Sequence, residues 1–237
     1  MFADLRRITA RIAEKFKRRF YGRTFNCPVC HFEIAIVDAG KNRLLVCPVC
    51  GVVIDIEEVY GHAVPVVLEV ELFRPQPKAR VHPLATHAPI GLYPFAVLGA
   101  ALLMVASMAR PFVPGLEPML TGAPVLADAT LVLLVLSVGL SVVTFASGLW
   151  DWNRRYRRRS YRQIRLKIAF SILFLLLGGA AIVLHASGAV FSAGSGLVDL
   201  GSPLSVTLAA VELALLVAGM VVIASLGHVG GTLVYGK

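Results

Sequence analysis

Four runs of almost unbroken apolar residues, 88–109, 129–150, 168–186 and 204–226, constrain this chain more than any other feature in it. Each comes close to the roughly 20 residues a helix needs to cross a hydrocarbon core. Backbone N–H and C=O groups in that environment must find partners inside the segment, so the runs are expected to be helices. The hydrophobic share of 57% and mean hydropathy of +0.76 fit this and exclude an ordinary soluble domain. Residues before about 80 differ in character: they carry charges, alternating apolar and polar positions, and all four cysteines.

Charge predicts how such spans are oriented. The stretch "DWNRRYRRRSYRQIRLK" between the second and third spans holds eight Lys/Arg, and residues 1–23 hold eight more. The connections 110–128 and 187–203 contain only Arg110. By the positive-inside rule, the N-terminus, the middle loop and the C-terminus face the cytoplasm of a bacterial inner membrane. The net charge of +9 is then explained by lipid headgroups, and no nucleic-acid partner is expected. Within residues 1–23, Phe2, Leu5, Ile8, Ile12, Phe16 and Phe20 recur at helical spacing, while Arg6, Arg7, Arg11, Lys15, Lys17 and Arg18 fall mostly off that face. This predicts a basic amphipathic helix lying on an anionic membrane surface, or else one packed on the following head. No apolar core of signal-peptide length follows the basic residues, so the segment is expected to be retained.

"CPVC" at Cys27–Cys30 and "CPVCG" at 47–51 give C-x2-C-x16-C-x2-C. A two-residue gap lets one tight turn aim both sulfurs to the same side, and two such turns supply a tetrahedral metal site from Cys27, Cys30, Cys47 and Cys50. "FEIAIV", "RLLV" and "GVVIDIEEV" read as strands that carry the second knuckle back to the first, and "VPVVLEVELF" offers another. Residues 24–60 resemble a zinc ribbon and, more loosely, a rubredoxin. The short interval between knuckles favours structural zinc, with iron as the alternative for an all-sulfur site. A closed four-thiolate site has no open position, so the metal is expected to staple a head too small for its own core. Cysteines facing the reducing cytoplasm are not expected to form disulfides. His31 and His62 are read as surface residues. "RPQPKARVHP" then reads as an extended spacer. The resulting division is a basic helix over 1–23, a ribbon over 24–73, a linker over 74–83 and a four-helix transmembrane bundle over 84–237. The fold class is thus membrane all-α with a small N-terminal β zinc-ribbon domain.

Imidazoles and carboxyls in or beside a bilayer are costly and point to function. They fall in two layers. His82 and His87 precede the first span, Asp151 follows the second and His228 ends the fourth. His185 lies late in the third span and Glu212 about two turns into the fourth. Pro89 suits a first helical turn, which would put His87 near a helix N-terminus, where the dipole favours the neutral imidazole that binds metals and haem iron. Two facing histidines from the first layer could hold a haem b or contact a quinone, with Asp151 orienting one ring. Equally, they could be interfacial end residues. Glu212, flanked by "TLAAV" and "LALLV", must be protonated or paired, and His185 is its nearest partner by depth. The pair could handle protons or fix helix register. Ala210, Ala214 and Ala218, and "GGAA" in the third span, predict close helix packing.

Three short motifs, His82-Pro83 with His87-Ala88-Pro89-Ile90-Gly91, then Gly148, Asp151 and Trp152, then Gly230, Gly231, Leu233, Val234 and Tyr235, resemble the bacterial membrane family called domain of unknown function 2231, over residues 82–236. Ala88 stands where that family has an aromatic residue. The resemblance implies a four-span domain that is sometimes joined to redox modules, without an established activity. The leading expectation is a redox-associated membrane protein whose ribbon docks other membrane or redox proteins. A cofactor-free accessory or assembly subunit is the second reading. A small proton-linked transporter using Glu212 and His185 is the third, with four unrepeated spans giving little room for alternating access. No nucleophile–base pair or phosphate-binding glycine loop supports a stand-alone enzyme.

Overall fold

The computed structural model describes residues 23–39, 43–60, 62–70, 81–113, 115, 117–156, 158–159, 161–192 and 194–235. The amphipathic-helix expectation for 1–23 and most of the linker expectation lie outside these residues.

Five strands form the head: β1 (Thr24–Asn26), β2 (Glu33–Ala35), β3 (Leu44–Val46), β4 (Val52–Val59) and β5 (His62–Val70). β1 pairs antiparallel with β2, while β3, β4 and β5 make a second antiparallel sheet in that order. The pairing of Asn26 with Glu33 and of Val46 with Val53 brackets one CPVC turn in each sheet. Phe32, Ile34, Leu45, Val52 and Ile54 are buried around Cys27 and Cys47, giving the head a small apolar centre.

Four helices follow: α1 (Val81–Ala109), α2 (Ala123–Arg155), α3 (Arg162–Ala186) and α4 (Pro203–Tyr235). All four are long and apolar enough to cross a membrane. Phe95, Leu98, Leu102, Val105, Val132, Leu176 and Val221 point outward, the arrangement expected of helices whose solvent is lipid. The chain divides into two compact units. One joins the head to Trp152–Leu166 and the end of α4; the other comprises Pro77–Asp151 and Lys167–Gly227.

Within the helical unit, Tyr93 of α1, Leu134 of α2, Phe174 of α3 and Leu216 of α4 meet in one core. The Tyr93 and Phe174 rings lie edge to face with centroids 4.9 Å apart. The Tyr93 hydroxyl donates to the Leu216 carbonyl at 3.2 Å, and a Cβ on Gly219 would collide with that hydroxyl. Gly99 against Thr130 and Gly178 against Val138 are notches of the same kind. Close packing therefore uses Gly219, Gly178 and Ala181. Ala210 and Ala214, expected on the packing face, are exposed. Ala218, the third of that series, is half-buried, and the buried face of α4 runs instead through Ala209, Glu212, Leu216 and Gly219.

Two sequence expectations about α1 change. Its first turn begins at Val81, so the end of the expected linker is helical. Pro89 lies inside the helix with Pro94, rather than at its start. Pro83 is compatible with this because the first N–H groups of a helix have no internal partner. Pro89 has no N–H to offer the Ala85 carbonyl, and the Thr144 hydroxyl of α2 donates to that carbonyl instead, at 2.9 Å. The Ser137 hydroxyl likewise donates to the Pro89 carbonyl at 3.1 Å. The Thr144 hydroxyl thus satisfies the carbonyl that Pro89 leaves free, the usual way a membrane helix tolerates a proline, while Ser137 adds a second bond from α2 to the same stretch of α1.

Ser202 precedes Pro203 as an N-cap, accepting the Ser205 N–H at 3.4 Å. At the end of α3, Gly188 takes the left-handed conformation (φ 68°) that stops the helix. The segment after it turns inward. Val190, Phe191, Leu197 and Val198 are buried, and the Ser107 hydroxyl accepts the Val198 N–H at 2.9 Å.

Candidate metal centre and polar sites of the bundle

The two CPVC turns repeat one backbone design. Cys27 N–H donates to the Phe32 carbonyl and Cys47 N–H to the Val52 carbonyl, both at 2.8 Å. His31 N–H donates to the Cys27 carbonyl at 2.9 Å and Gly51 N–H to the Cys47 carbonyl at 3.0 Å. The residue after the second cysteine is left-handed in each, with φ 57° at His31 and 79° at Gly51. His31 thus occupies the turn position that glycine fills in the other knuckle. Its side chain is exposed, as is that of His62.

The four sulfurs lie within 4.8 Å of one another. Cys27 and Cys50 are 3.7 Å apart, and Cys30 and Cys47 3.6 Å. Zinc–sulfur bonds of about 2.3 Å in a tetrahedron put sulfurs about 3.8 Å apart, so the donor set fits a metal such as zinc. These distances exclude disulfides. Burial pushes the Cys47 thiol far above its ordinary range and Cys50 up to about 11. Burial also opposes ionisation at Cys27, but the backbone N–H groups of Cys30 and Val29, together with the Cys30 and Cys50 thiols, offset it and leave that thiol below its ordinary range. Such a cluster accommodates four thiolates only with a cation among them.

The head is joined to the segment between α2 and α3. The buried Tyr161 hydroxyl donates to the Val46 carbonyl at 2.7 Å, one residue before a cysteine of the cluster. Arg162 N–H, at the start of α3, donates to Asp38 Oδ1 at 2.8 Å, and Gln163 Nε2 donates to the Glu33 carbonyl at 3.3 Å. The Arg165 guanidinium lies 4.0 Å from the same Asp38 oxygen. Burial raises the Asp38 carboxyl above its ordinary range, and the Arg162 N–H with the Arg165 and Arg162 charges hold the rise in check. Asp38 thus caps the first turn of α3 from another element. Sequence reasoning missed Asp38, Tyr161 and Gln163, because Asp38 reads as a turn residue and the others lie among headgroup-like basic residues.

In the first histidine layer, His82 is half-buried. Its Nδ1 lies 3.1 Å from the Thr144 carbonyl and 3.1 Å from Ser147 Oγ. A carbonyl only accepts, so Nδ1 carries the proton and, in the neutral ring, Nε2 is bare. Asp151 and Lys167 lie within electrostatic reach of His82, but Thr144 orients the ring. A Cβ on Gly148 would press on this imidazole, which ties the Gly148 and Asp151 motif to His82. His87 and His228 are both exposed. His87 lies in the second helical turn rather than at the N-terminus, since the helix starts at Val81.

In the second layer His185 and Glu212 do meet, with Nδ1 2.7 Å from Oε1 and both side chains buried. His185 Nε2 lies 3.0 Å from the Ala127 carbonyl, and Phe191 covers the ring at 4.9 Å. Comparison with known protein families, with curated proteins and with solved structures returns no match for this chain.

Proposed function

We propose that this protein is a multi-pass subunit of a bacterial cytoplasmic membrane in which a structural zinc ribbon, clamped to the loop between the second and third spans, serves as a docking element for a membrane complex. The carrying observation is the clamp. Tyr161, Arg162 and Gln163 bind backbone and Asp38 of the ribbon beside its cysteines. A closed four-thiolate site has no position for substrate, which favours a scaffold over a reactant. With the basic loop and both termini on the cytoplasmic side, the ribbon meets cytoplasmic or membrane-embedded partners. The resemblance of residues 82–236 to domain of unknown function 2231 agrees with a four-span body and adds no activity.

The redox reading has one observation in its favour. His82, with Nδ1–H held on a carbonyl, has the second-sphere arrangement common to imidazoles that bind iron or accept a hydrogen bond from a quinol. In that reading His82 serves haem b or a quinone. Purification in mild detergent separates the two. Docking predicts a colourless, zinc-bearing protein in an assembly larger than itself, which dissociates in Cys47→Ser while the helical body persists. Haem absorption lost in His82→Ala, with the protein alone in solution, would overturn docking and favour the redox reading.

A further inference from the structure

The strand register sorts the β3–β4–β5 sheet into two faces. Ile54 and Ile56, on one of them, are buried in the head. On the other, Leu44, Val59 and Val64 are exposed at 42%, 42% and 39%, with Val53 and Val66 half-buried between them. Asp55, Glu57 and Glu69 share this outer face, and apart from His62 no residue on it can carry a positive charge. Glu58, on the opposite face, lies 3.9 Å from Arg43. Among the described residues, Asp55, Glu57 and Glu69 have no such partner. An exposed apolar strip set among unpaired carboxylates calls for a partner that is both apolar and cationic, and it repels anionic headgroups.

The chain carries such a partner in its own sequence. Residues 1–22 hold seven Lys/Arg against two acids, whereas residues 24–70 hold six Asp/Glu against two Lys/Arg. The apolar line Phe2, Leu5, Ile8, Ile12, Phe16 and Phe20 recurs at helical spacing, with the basic residues mostly off it. On a helix that line measures about 27 Å, and the eight residues of β4 also extend about 27 Å. The segment runs directly into Arg23, whose carbonyl accepts the Ile36 N–H at 2.9 Å. That bond ties its end to the head and gives it a high effective concentration there.

We infer that the outer face of the β3–β4–β5 sheet is the docking surface for residues 1–22 of the same chain, whose apolar line covers the valine strip while its cations meet Asp55, Glu57 and Glu69. Exposed ion pairs contribute little individually, so the apolar strip supplies most of the attraction. The carboxylates select a cationic occupant and set the face against an anionic membrane. The contact uses neither the cysteines nor the clamp of Asp38, Tyr161, Arg162 and Gln163, so it stands whether or not the ribbon docks a complex. Any such complex then meets the head on its remaining surfaces.

Lys15 and Lys17 are the only lysines of the segment, which makes zero-length carbodiimide cross-linking of the full-length protein a direct test. In phosphatidylcholine vesicles, mass spectrometry should find Lys15 or Lys17 joined to Asp55, Glu57 or Glu69, and joined within one chain when isotopically heavy and light protein are mixed. Hydrogen exchange on the same sample should show residues 5–20 protected. Glu57→Lys combined with Glu69→Lys should abolish that protection while zinc content and the protection of β4 persist. Both readouts should survive the addition of phosphatidylglycerol. Protection that arises only with phosphatidylglycerol, and is indifferent to the Glu57 and Glu69 changes, would put the segment on lipid and overturn the proposal. Cross-links between heavy and light chains would give the face to a second copy and overturn it equally, as would a segment unprotected in both lipids. If the lysine variants do not fold, the cross-link map of the native protein decides by itself.

Discussion

The Tyr161 hydroxyl and the cluster thiols are where single atoms decide the most. Tyr161→Phe removes a buried hydrogen bond to Val46 and leaves that carbonyl unsatisfied, at a cost of about 1–3 kcal/mol. Hydrogen exchange should show faster opening of β3 and of the first turn of α3, with the Tyr93 core unchanged. The thiols set the pH dependence. Cys50 is raised from 9.0 to about 11 by burial and Cys47 further, so without metal both fold as neutral thiols. Their contribution to the metal-free fold is present below the unfolded thiol range and is lost as pH rises through the raised values. Zinc loading runs the other way, because each ligand must shed its proton. Zinc affinity should therefore fall as pH falls, and calorimetry in buffers of different ionisation enthalpy should detect proton release on loading. These residues were unequally legible. The cysteine spacing declared its chemistry, and depth in the spans was enough to pair His185 with Glu212. Asp38 was not legible, because its role depends on an N–H supplied from more than a hundred residues away.

Helix-scale packing rests on glycine notches. In Gly219→Ala a methyl meets the Tyr93 hydroxyl, which is itself held on the Leu216 carbonyl and has little freedom to move. Overpacking of this kind costs about 1–3 kcal/mol, and the thermal midpoint in detergent should drop accordingly. Gly179→Ala, one residue from the Gly178 notch and facing open space, should be nearly neutral. Thr144→Val should weaken the proline-bearing start of α1, since it takes the hydroxyl from the Ala85 carbonyl that Pro89 leaves free. Residues 85–93 should then exchange amide hydrogens faster while α3 does not. The existence of each helix was plain from apolar run length. The start of α1 was not, because a single sequence shows Pro89 as a boundary and cannot show the Thr144 hydroxyl on α2 that makes it tolerable. The face of α4 that packs was misjudged for the same reason. Alanines at four-residue spacing look like a contact stripe until Tyr93 on another helix makes Gly219 the closest approach.

On the scale of the whole molecule, hydropathy and cysteine spacing were sufficient for a four-span body and a metal-binding β head. What they could not convey is that the head is bonded to the 152–166 segment and not merely tethered by a linker. That bond turns a loop that would otherwise only meet headgroups into one side of a metal-stapled module. Removing the staple should free the loop. In the full-length protein in detergent, chelation of the metal should make Arg158, Arg159 and Arg162 newly susceptible to trypsin while α1 to α4 keep their helical signal. Metal content of the purified protein decides first whether that staple exists. The account predicts one zinc per chain, lost together with trypsin resistance of that loop in Cys47→Ser. A protein that purifies without metal, or whose loop is cleaved equally with and without it, would contradict the account.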